Sequence, residues 1–316
     1  MPDVAAVIGN YQGEGLLPDV LASLAAQTSS LLEVIVVDAG SGDGSRAVAE
    51  AAGARVLVTE NRGLGHLYNL GARATEAELV LLANNDVAFD PDCVALLGDA
   101  LAADERRFAA DPTQVDWSGG RVIHARSVVR RGPLLRRPVP GLELDQLVPA
   151  EGVVPTVLAN GAAMLVRRER LLALGGFDET FFLELEEVDL CWRAWASGWE
   201  TVYVPAARVR HRVGHVTSPG ERPRRLRSAH HNLLRFALKC LPPHAAARVV
   251  GGELLRLPRH PALVAPALGR ILAEFPEILR ERRDVPAKEA TLARLLALVG
   301  DGGARTRGGL GYAGPP

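Results

Sequence analysis

The first 90 residues alternate between short apolar runs rich in β-formers and segments in which apolar residues recur at helical spacing. The apolar runs are nearly continuous, as in residues 33–37. Strands of this kind are buried on both faces, which is typical of a parallel sheet covered by helices. The sequence therefore predicts an α/β fold with a mostly parallel central sheet. The predicted strands are residues 4–8, 33–37, 55–58 and 78–82, and the predicted helices are residues 16–27, 45–52 and 67–75.

Polar clusters follow three of the predicted strands at their carboxyl ends. Open α/β sheets bind ligands outside this edge, so we expect the functional cleft there. The clusters are Gly9-Asn10-Tyr11, the segment 38–43 that begins with Asp38, and Asn84-Asn85-Asp86.

Asp86 is a candidate metal ligand, because it would project from a strand end into this cleft. A divalent cation such as Mg²⁺ or Mn²⁺, bound there by oxygen, could neutralise a diphosphate. The alternative is an ordinary Asn/Asp turn. His211 follows the strand-like segment 201–204 and could complete the site, although a lone histidine is more often structural.

The loop Asn61-Arg62-Gly63 is a candidate phosphate-binding loop. It could present backbone N–H groups and the Arg62 guanidinium to phosphates, and the alternative is simple turn formation.

Four carboxylates are concentrated at the start of a predicted helix near residue 186. An apolar stripe predicts this helix and requires a core on one side of it. Acids at a helix start gain about 0.3–1 kcal/mol each from the dipole, but one or two would be enough for that. Mutual repulsion among four favours a cation, a basic partner or a proton-transfer role. The stripe is Val188, Trp192, Trp195 and Trp199, and the carboxylates are Glu184, Glu186, Glu187 and Asp189.

Glu187 is the candidate general base of this cluster. Its neighbours Glu186 and Asp189 would raise its pKa toward the range in which a carboxylate accepts a hydroxyl proton. Helix capping is the alternative.

The rest of the chain suggests a catalytic domain with an appendage. Periodicity is lost at 104–155, which predicts a long irregular connection with short strands, and it returns at 156–211. Arg-rich amphipathic helices are then predicted, among them 224–239 and 263–283. We predict a catalytic domain at 1–217 (nucleotide-binding half about 1–100, acceptor half about 150–217), a helical extension at 218–299 and a Gly-rich disordered tail at 300–316.

Charge and cysteine content restrict the function classes. A net charge of -1 excludes a general attraction to nucleic acid, although Arg-rich stretches occur at 121–137 and 208–227. The 3 cysteines indicate neither a disulfide framework nor a cysteine metal site, so a reducing compartment is expected. No signal peptide and no apolar run of ~18 residues is recognised, which predicts a cytoplasmic protein.

The Arg-rich helix near residue 230 has two interpretations. It could rest on the inner face of an anionic membrane. It could equally pack against the catalytic domain or a second subunit. The oligomeric state is not readable. The residues concerned are Arg224, Arg225, Arg227 and Arg235 beside Leu226, Leu233, Leu234 and Phe236.

Six motifs in fixed order resemble those of the family 2 glycosyltransferases, over roughly residues 3–235, and look most like the bacterial rhamnosyltransferase-type branch. The resemblance implies a GT-A fold, a dTDP- or UDP-sugar donor, Mg²⁺ or Mn²⁺, and inversion at the anomeric carbon. It also implies a glycan or polyprenyl-diphosphate-linked acceptor in cell-envelope polysaccharide synthesis. The motifs are VIGNYQ (7–12), LASLAAQT (21–28), VVDAGSGDGS (36–45), NRGLGHLYNLGA (61–72), LLANNDV (81–87) and GGFDETFFLELEEVDLCWR (175–193).

Site residues carry over from this resemblance by position. Asp86 stands at the metal-binding aspartate of the D-x-D-like motif, with Asn84 at its first position, and His211 matches the histidine that completes the metal or diphosphate site. Glu187 stands at the proposed base, where relatives usually have the Asp of Glu-Asp, and Glu186 precedes it. The implied donor contacts are Asn10, Tyr11, Asp38, Asn61, Arg62, Gly63, Asn85 and Asp86, and the implied acceptor contacts are Gly161, Ala162 and Asp189.

The implied reaction is a single displacement in which Glu187 takes the proton of an acceptor hydroxyl. Two other enzyme classes fit less well. A glycoside hydrolase needs its carboxylates across the scissile bond, and an NAD-dependent oxidoreductase needs a G-x-G-x-x-G motif that the glycines do not form. A non-catalytic sugar- or lipid-carrier-binding protein stays open, because Ala39, Asn84 and Glu187 depart from the usual pattern.

Overall fold

The N-terminal alternation forms one half of a central sheet in this computed structural model, which describes residues 2–131, 142–148, 152–212, 222–298 and 304–305. Its four strands are parallel neighbours, with the first strand between the second and the fourth. This arrangement confirms the α/β prediction. The elements are β1 (Val4–Asn10), α1 (Leu17–Ala25), β2 (Glu33–Asp38), α2 (Ser45–Ala51), β3 (Arg55–Val58), α3 (Leu64–Arg73) and β4 (Leu79–Asn84).

Both faces of these strands are covered, as their continuous apolar pattern requires. Ile8 on β1 packs with Leu17 of α1 on one face. Val7 packs with Leu67 and Tyr68 of α3 on the other. The core therefore consists of two layers of helix contacts, and the carboxyl ends of the strands stay free to form a cleft.

The segment between residues 85 and 155 is more regular than the sequence predicts. It contains β5 (Val87–Phe89), α4 (Cys93–Ala102), β6 (Arg107–Asp116), β7 (Val122–His124), β8 (Arg126–Arg131), β9 (Leu142–Val148) and β10 (Val154–Pro155). The predicted irregular connection is wrong for β6, a buried strand of 10 residues. Its polar residues Asp111, Thr113 and Gln114 are buried and disrupt the apolar pattern by which buried strands are recognised.

The remaining part of the sheet is mixed. Its elements are β11 (Ala163–Arg167), α5 (Arg168–Ala173), α6 (Glu186–Ala196) and β12 (Glu200–His211). β11 is antiparallel to both β4 and β6, whereas β12 runs parallel to β6. The strand order is β10-β12-β6-β11-β4-β1-β2-β3, with β5 paired to β12 and β7 paired to β6.

The C-terminal region is helical, as predicted, and packs on α6. Its elements are α7 (Arg222–Cys240), α8 (Pro243–Arg256), α9 (Pro261–Asp284), α10 (Lys288–Ala297) and the short β13 (Ala304–Arg305), which pairs with β9. The domain boundary predicted at residue 217 lies outside the described residues. So does the tail predicted to be disordered at 300–316, apart from β13.

One hydrophobic cluster joins α6 to the C-terminal helices. It contains Trp192 and Trp195 of α6 together with Leu233 and Phe236 of α7. Arg235 is 0% exposed. This part of α7 therefore packs against α6 and is buried, so it is not the membrane-facing surface that the sequence allowed as one interpretation.

Two further observations concern membrane spans and cysteines. Among the helices of the described residues, none has the length and apolar character needed to cross a membrane. Cys93, Cys191 and Cys240 are buried free thiols.

Candidate active site

Asp86 and His211 are brought together by the pairing of β5 with the end of β12. His211 lies opposite Val87 in this antiparallel pair. The backbone N–H of Arg212 donates to the Asp86 carbonyl oxygen at 2.9 Å. His211 Nε2 consequently lies 3.4 Å from Asp86 Oδ1. The two residues expected to bind metal are neighbours at one sheet edge.

Gln114 on β6 orients His211. Its Oε1 lies 3.0 Å from His211 Nδ1, and the His211 tautomer protonated on Nδ1 would donate to this amide oxygen. In that tautomer the lone pair of Nε2 faces Asp86. Metal-binding histidines commonly have such a partner on the second ring nitrogen. The sequence did not reveal Gln114, because its strand lies in the segment expected to be irregular.

The pair fits a divalent cation. Asp86 is buried, and its Oδ1 has no hydrogen-bond partner. A buried polar atom in this state costs about 1–3 kcal/mol, and a cation would relieve that cost. No cluster of three or more His, Cys, Asp or Glu side chains within the described ranges could hold a metal by itself. Two protein ligands suit Mg²⁺, which keeps several waters and takes substrate phosphates as further ligands.

A buried amide and carboxylate network forms the floor of the cleft at the ends of β1, β2 and β4. Asn85 Nδ2 donates to Asn10 Oδ1, and Asn10 Nδ2 donates to Asp38 Oδ2, both at 2.7 Å. The Ser41 hydroxyl donates to Asp38 Oδ2 at 2.6 Å. Because Asp38 is 0% exposed, its role in this structure is to hold Asn10 and Ser41. Tyr11 is exposed at the same edge.

The loop Asn61-Arg62-Gly63 packs against the segment that precedes α6. Arg62 Nη2 lies 3.1 Å from Glu179 Oε2, and His66 Nδ1 lies 2.8 Å from the same oxygen. Gly63 has a φ of +100°, and a Cβ there would overlap the backbone of Phe182. The loop thus joins the start of α3 to the segment that leads to the α6 carboxylates.

Glu186 and Glu187 occupy the first turn of α6 and are each 5% exposed. Gly161 is close to them, since a Cβ built on it would lie 3.8 Å from Glu187 Cβ. Burial, reinforced by the charges of Glu187 and Glu184, raises the pKa of Glu186 well above its ordinary value. The protonated form of Glu186 is therefore favoured. The sequence had indicated a raised pKa for Glu187.

The apolar stripe of α6 is confirmed for three of its four residues. Trp192 and Trp195 are buried, and Val188 packs against the same cluster. The helix ends at Ala196, followed by Gly198 with a φ of +86°. Trp199 thus lies beyond the helix, where its ring stacks on Phe108.

Asp189 is buried in an ion-pair cluster between α6 and α7. It is 0% exposed, and its carboxylate lies 2.8 Å from Arg193 Nε and 2.7 Å from Lys239 Nζ. Burial alone would raise the pKa of Asp189, but the charges of Arg193 and Lys239 outweigh burial and lower it. The structure gives Asp189 a role in joining α6 to α7, in place of the expected acceptor contact.

Tyr68 connects the metal side of the cleft with the carboxylate side. Its hydroxyl donates to the Gly161 carbonyl oxygen at 2.7 Å and lies 3.0 Å from Asn84 Oδ1. Burial raises the pKa of Tyr68 well above its ordinary value, and the charges of Glu186, Asp86 and Glu187 raise it further. The phenol of Tyr68 therefore stays neutral. Sequence reasoning missed Tyr68, although it lies within the 61–72 motif.

Comparison with known proteins places the chain among sugar transferases. A family model described as glycosyl transferase family 2 matches residues 5–143. The N-acetylglucosaminyl-diphospho-decaprenol L-rhamnosyltransferase of Mycobacterium tuberculosis is 34% identical over 257 residues, covering 73% of this chain and 82% of the relative. The rhamnosyltransferase WbbL of Escherichia coli is 26% identical over 166 residues, covering 48% and 62%.

Solved structures show the same GT-A fold. GalNAc-T7, crystallised with UDP, GalNAc and Mn²⁺, gives a TM-score of 0.68 at 14% identity over 95% of this chain, which spans 57% of that protein. The mannosyltransferase PcManGT from Pyrobaculum calidifontis, in complex with GDP-Man and Mn²⁺, gives a TM-score of 0.55 at 18% identity over 95% of this chain and 88% of that protein.

Proposed function

Since the chain belongs to glycosyl transferase family 2, we propose that it transfers a sugar, with rhamnose as first candidate, from a nucleoside diphosphate to a hydroxyl of a lipid-linked saccharide. The name of the mycobacterial relative supports the sugar and the acceptor class. A dTDP- or UDP-linked donor is the corresponding expectation. The observation that carries the proposal is the placement of Asp86 beside His211 at one sheet edge, together with Tyr68, whose hydroxyl bonds to Asn84 near Asp86 and to Gly161 beside Glu187.

The donor side of the cleft is formed by the strand ends. Asp86 Oδ1 and His211 Nε2 would hold Mg²⁺ or Mn²⁺, with Gln114 fixing the histidine tautomer. When bound, such an ion supplies positive charge that stabilises the departing diphosphate. Asn10 and Asn85 keep the floor rigid, and the exposed ring of Tyr11 offers a surface for the nucleobase.

The acceptor side lies at the start of α6. Glu187 accepts the proton of the acceptor hydroxyl while that oxygen attacks the anomeric carbon. The new carbon–oxygen bond forms as the bond from the anomeric carbon to the diphosphate breaks, so the configuration inverts. Glu186 keeps its proton, which limits the repulsion between two buried carboxyl groups. Gly161 and Ala162 leave room for the acceptor because they lack bulky side chains.

A lipid-linked acceptor requires approach to a membrane surface, and α9 offers a face for it. Leu272, Phe275 and Leu279 recur at i, i+3 and i+7 and are 74%, 39% and 43% exposed. Arg280 and Arg283 are exposed beside this stripe. An apolar stripe flanked by arginines is complementary to an anionic lipid surface. This face replaces the α7 residues that the sequence had indicated.

A transfer assay tests the proposal. The protein would be incubated with Mn²⁺, dTDP-rhamnose and N-acetylglucosaminyl-diphospho-polyprenol in detergent micelles, with UDP-glucose and GDP-mannose as alternative donors. We expect rhamnosylated lipid whose anomeric configuration, read by NMR, is opposite to that of the donor. Retention of configuration would contradict the displacement. Donor binding without transfer to the lipid from any donor would favour a non-catalytic binding protein.

A further inference from the structure

A left-handed turn directly precedes the two proposed active-site carboxylates. Glu184 and Leu185, neither of them glycine, have φ values of +77° and +69°. Side chains other than glycine rarely adopt this conformation, and the surrounding structure must hold it in place. The next two residues along the chain are Glu186 and Glu187. The geometry of the turn therefore sets where α6 begins and where both carboxylates point.

Asn232 on α7 contacts this turn from the opposite side. Its Nδ2 donates to the Leu183 carbonyl oxygen at 2.8 Å and to the Glu184 carbonyl oxygen at 2.7 Å. Both carbonyls precede the helix and lie outside its regular i to i+4 hydrogen bonds. The two hydrogens of one amide thus satisfy two consecutive acceptors of the turn.

The amide of Asn232 is itself fixed. Asn232 is 1% exposed, and its Oδ1 lies 3.1 Å from His231 Nδ1. The oxygen end of the amide therefore faces His231, and the nitrogen end faces the turn. Arg225, two turns earlier on the same face of α7, pairs with the Glu184 carboxylate. The appended helix thus contacts both the backbone and the side chain of the turn.

We propose that Asn232 is a positioning residue for sugar transfer: it holds the 183–185 turn left-handed, so that Glu186 and Glu187 enter α6 facing the cleft. Its predicted effect on turnover rests on the function proposed above. Its effect on the turn does not. The helical appendage is on this account a structural part of the transfer site.

The test compares two variants of Asn232 with a matched control. Asn232→Leu removes both donated hydrogen bonds, and Asn232→Asp keeps the size while presenting a carboxylate to two carbonyl oxygens. The control is His230→Leu, which changes a residue that is 2% exposed on the same helix but bonds to Glu253 of α8. Melting temperatures identify any variant that fails to fold. If Asn232→Leu fails to fold, the isosteric Asn232→Asp variant still allows the test.

Two readouts are required. Displacement of the base by about 1 Å predicts a fall in kcat of roughly 10- to 100-fold with the donor KM unchanged. Hydrogen–deuterium exchange is expected to become faster at the amides of residues 183–187, with the β1–β4 core protected as in the wild type. His230→Leu should keep wild-type kcat and wild-type exchange at 183–187.

Either readout can overturn the proposal. Wild-type exchange at 183–187 in both Asn232 variants would show that the turn does not depend on this amide. An equal loss of kcat in His230→Leu would show a general packing effect of α7. If the wild type transfers no sugar from any donor, the proposed function fails, while the exchange measurement still decides whether Asn232 holds the turn.

Discussion

At the scale of single residues, burial and the charge of Glu187 raise the pKa of Glu186, the first of the two adjacent carboxylates at the start of α6. The sequence located both residues and predicted a raised pKa for Glu187. It did not indicate the raised pKa of Glu186, because burial depends on packing from other elements.

Glu186→Gln should be more stable than the wild type at neutral pH. Between the ordinary carboxyl pKa and the raised pKa of Glu186, the folded state binds more protons than the unfolded state, so the free energy of unfolding falls as pH rises. Glutamine removes this loss at constant size. The gain in melting temperature should grow as pH rises above the ordinary carboxyl pKa. Glu50→Gln, at an exposed position, is the control. A gain that does not vary with pH would contradict the raised pKa.

Gln114→Leu should weaken Mn²⁺ binding by about 10- to 100-fold, because His211 loses the partner that fixes its tautomer. The measurement is calorimetric titration of Mn²⁺ in the presence of UDP. Gln146→Leu is a matched control, since Gln146 contacts a different histidine, His124, at 2.8 Å. Equal Mn²⁺ affinities for the two variants would show that Gln114 does not support metal binding by His211.

Single residues also show where sequence reasoning ends. Asp86 and His211 were predicted as partners because strand ends converge at one sheet edge. Asp189 was misplaced, since its partners Arg193 and Lys239 are known only once α7 is packed on α6.

At the scale of elements, the site depends on close contact between the loop before α3 and the segment before α6. The existence of β1 to β4 was predictable because their apolar runs report burial directly. The central strand β6 was not. Its Asp111 pairs with His124, and its Thr113 bonds to Tyr203, so these polar residues are satisfied only in the folded state.

Gly63→Ala should lower both stability and kcat, because the new Cβ would overlap the Phe182 backbone and displace the segment leading to Glu187. A strained backbone of this kind costs about 1–3 kcal/mol before the clash is counted. Gly53→Ala is the control: its φ is +79°, but nothing lies within 4 Å of the added Cβ. Urea unfolding and kcat would be measured for both. An equal loss in the two variants would mean that the contact with Phe182 has no effect.

At the scale of the whole molecule, the C-terminal helices have a buried face and an exposed apolar face. α7 packs on α6 and contacts the turn before the carboxylates. α9 turns an apolar stripe outward. The sequence predicted that these helices exist, and amphipathicity alone could not determine which face would be buried.

Leu272→Glu combined with Leu279→Glu should abolish flotation with anionic vesicles at low salt. Two buried leucines contribute about 1.5–3 kcal/mol each to such binding, and the introduced charges add repulsion from the lipid. Leu32→Glu is the control, because Leu32 is 54% exposed at a position outside the C-terminal helices. Flotation of the double variant at the wild-type level would exclude this face, and absence of wild-type flotation would exclude the membrane contact itself.

The central claim is that one cleft holds a metal-bound nucleotide at Asp86 and a base at Glu187. Calorimetric titration of dTDP and UDP with and without Mn²⁺, into the wild type, Asp86→Asn and Glu187→Gln, tests it most directly. The account predicts Mn²⁺-dependent binding of one nucleotide to the wild type and to Glu187→Gln, and its loss in Asp86→Asn. Nucleotide binding that is independent of Mn²⁺, or unchanged in Asp86→Asn, would contradict the account.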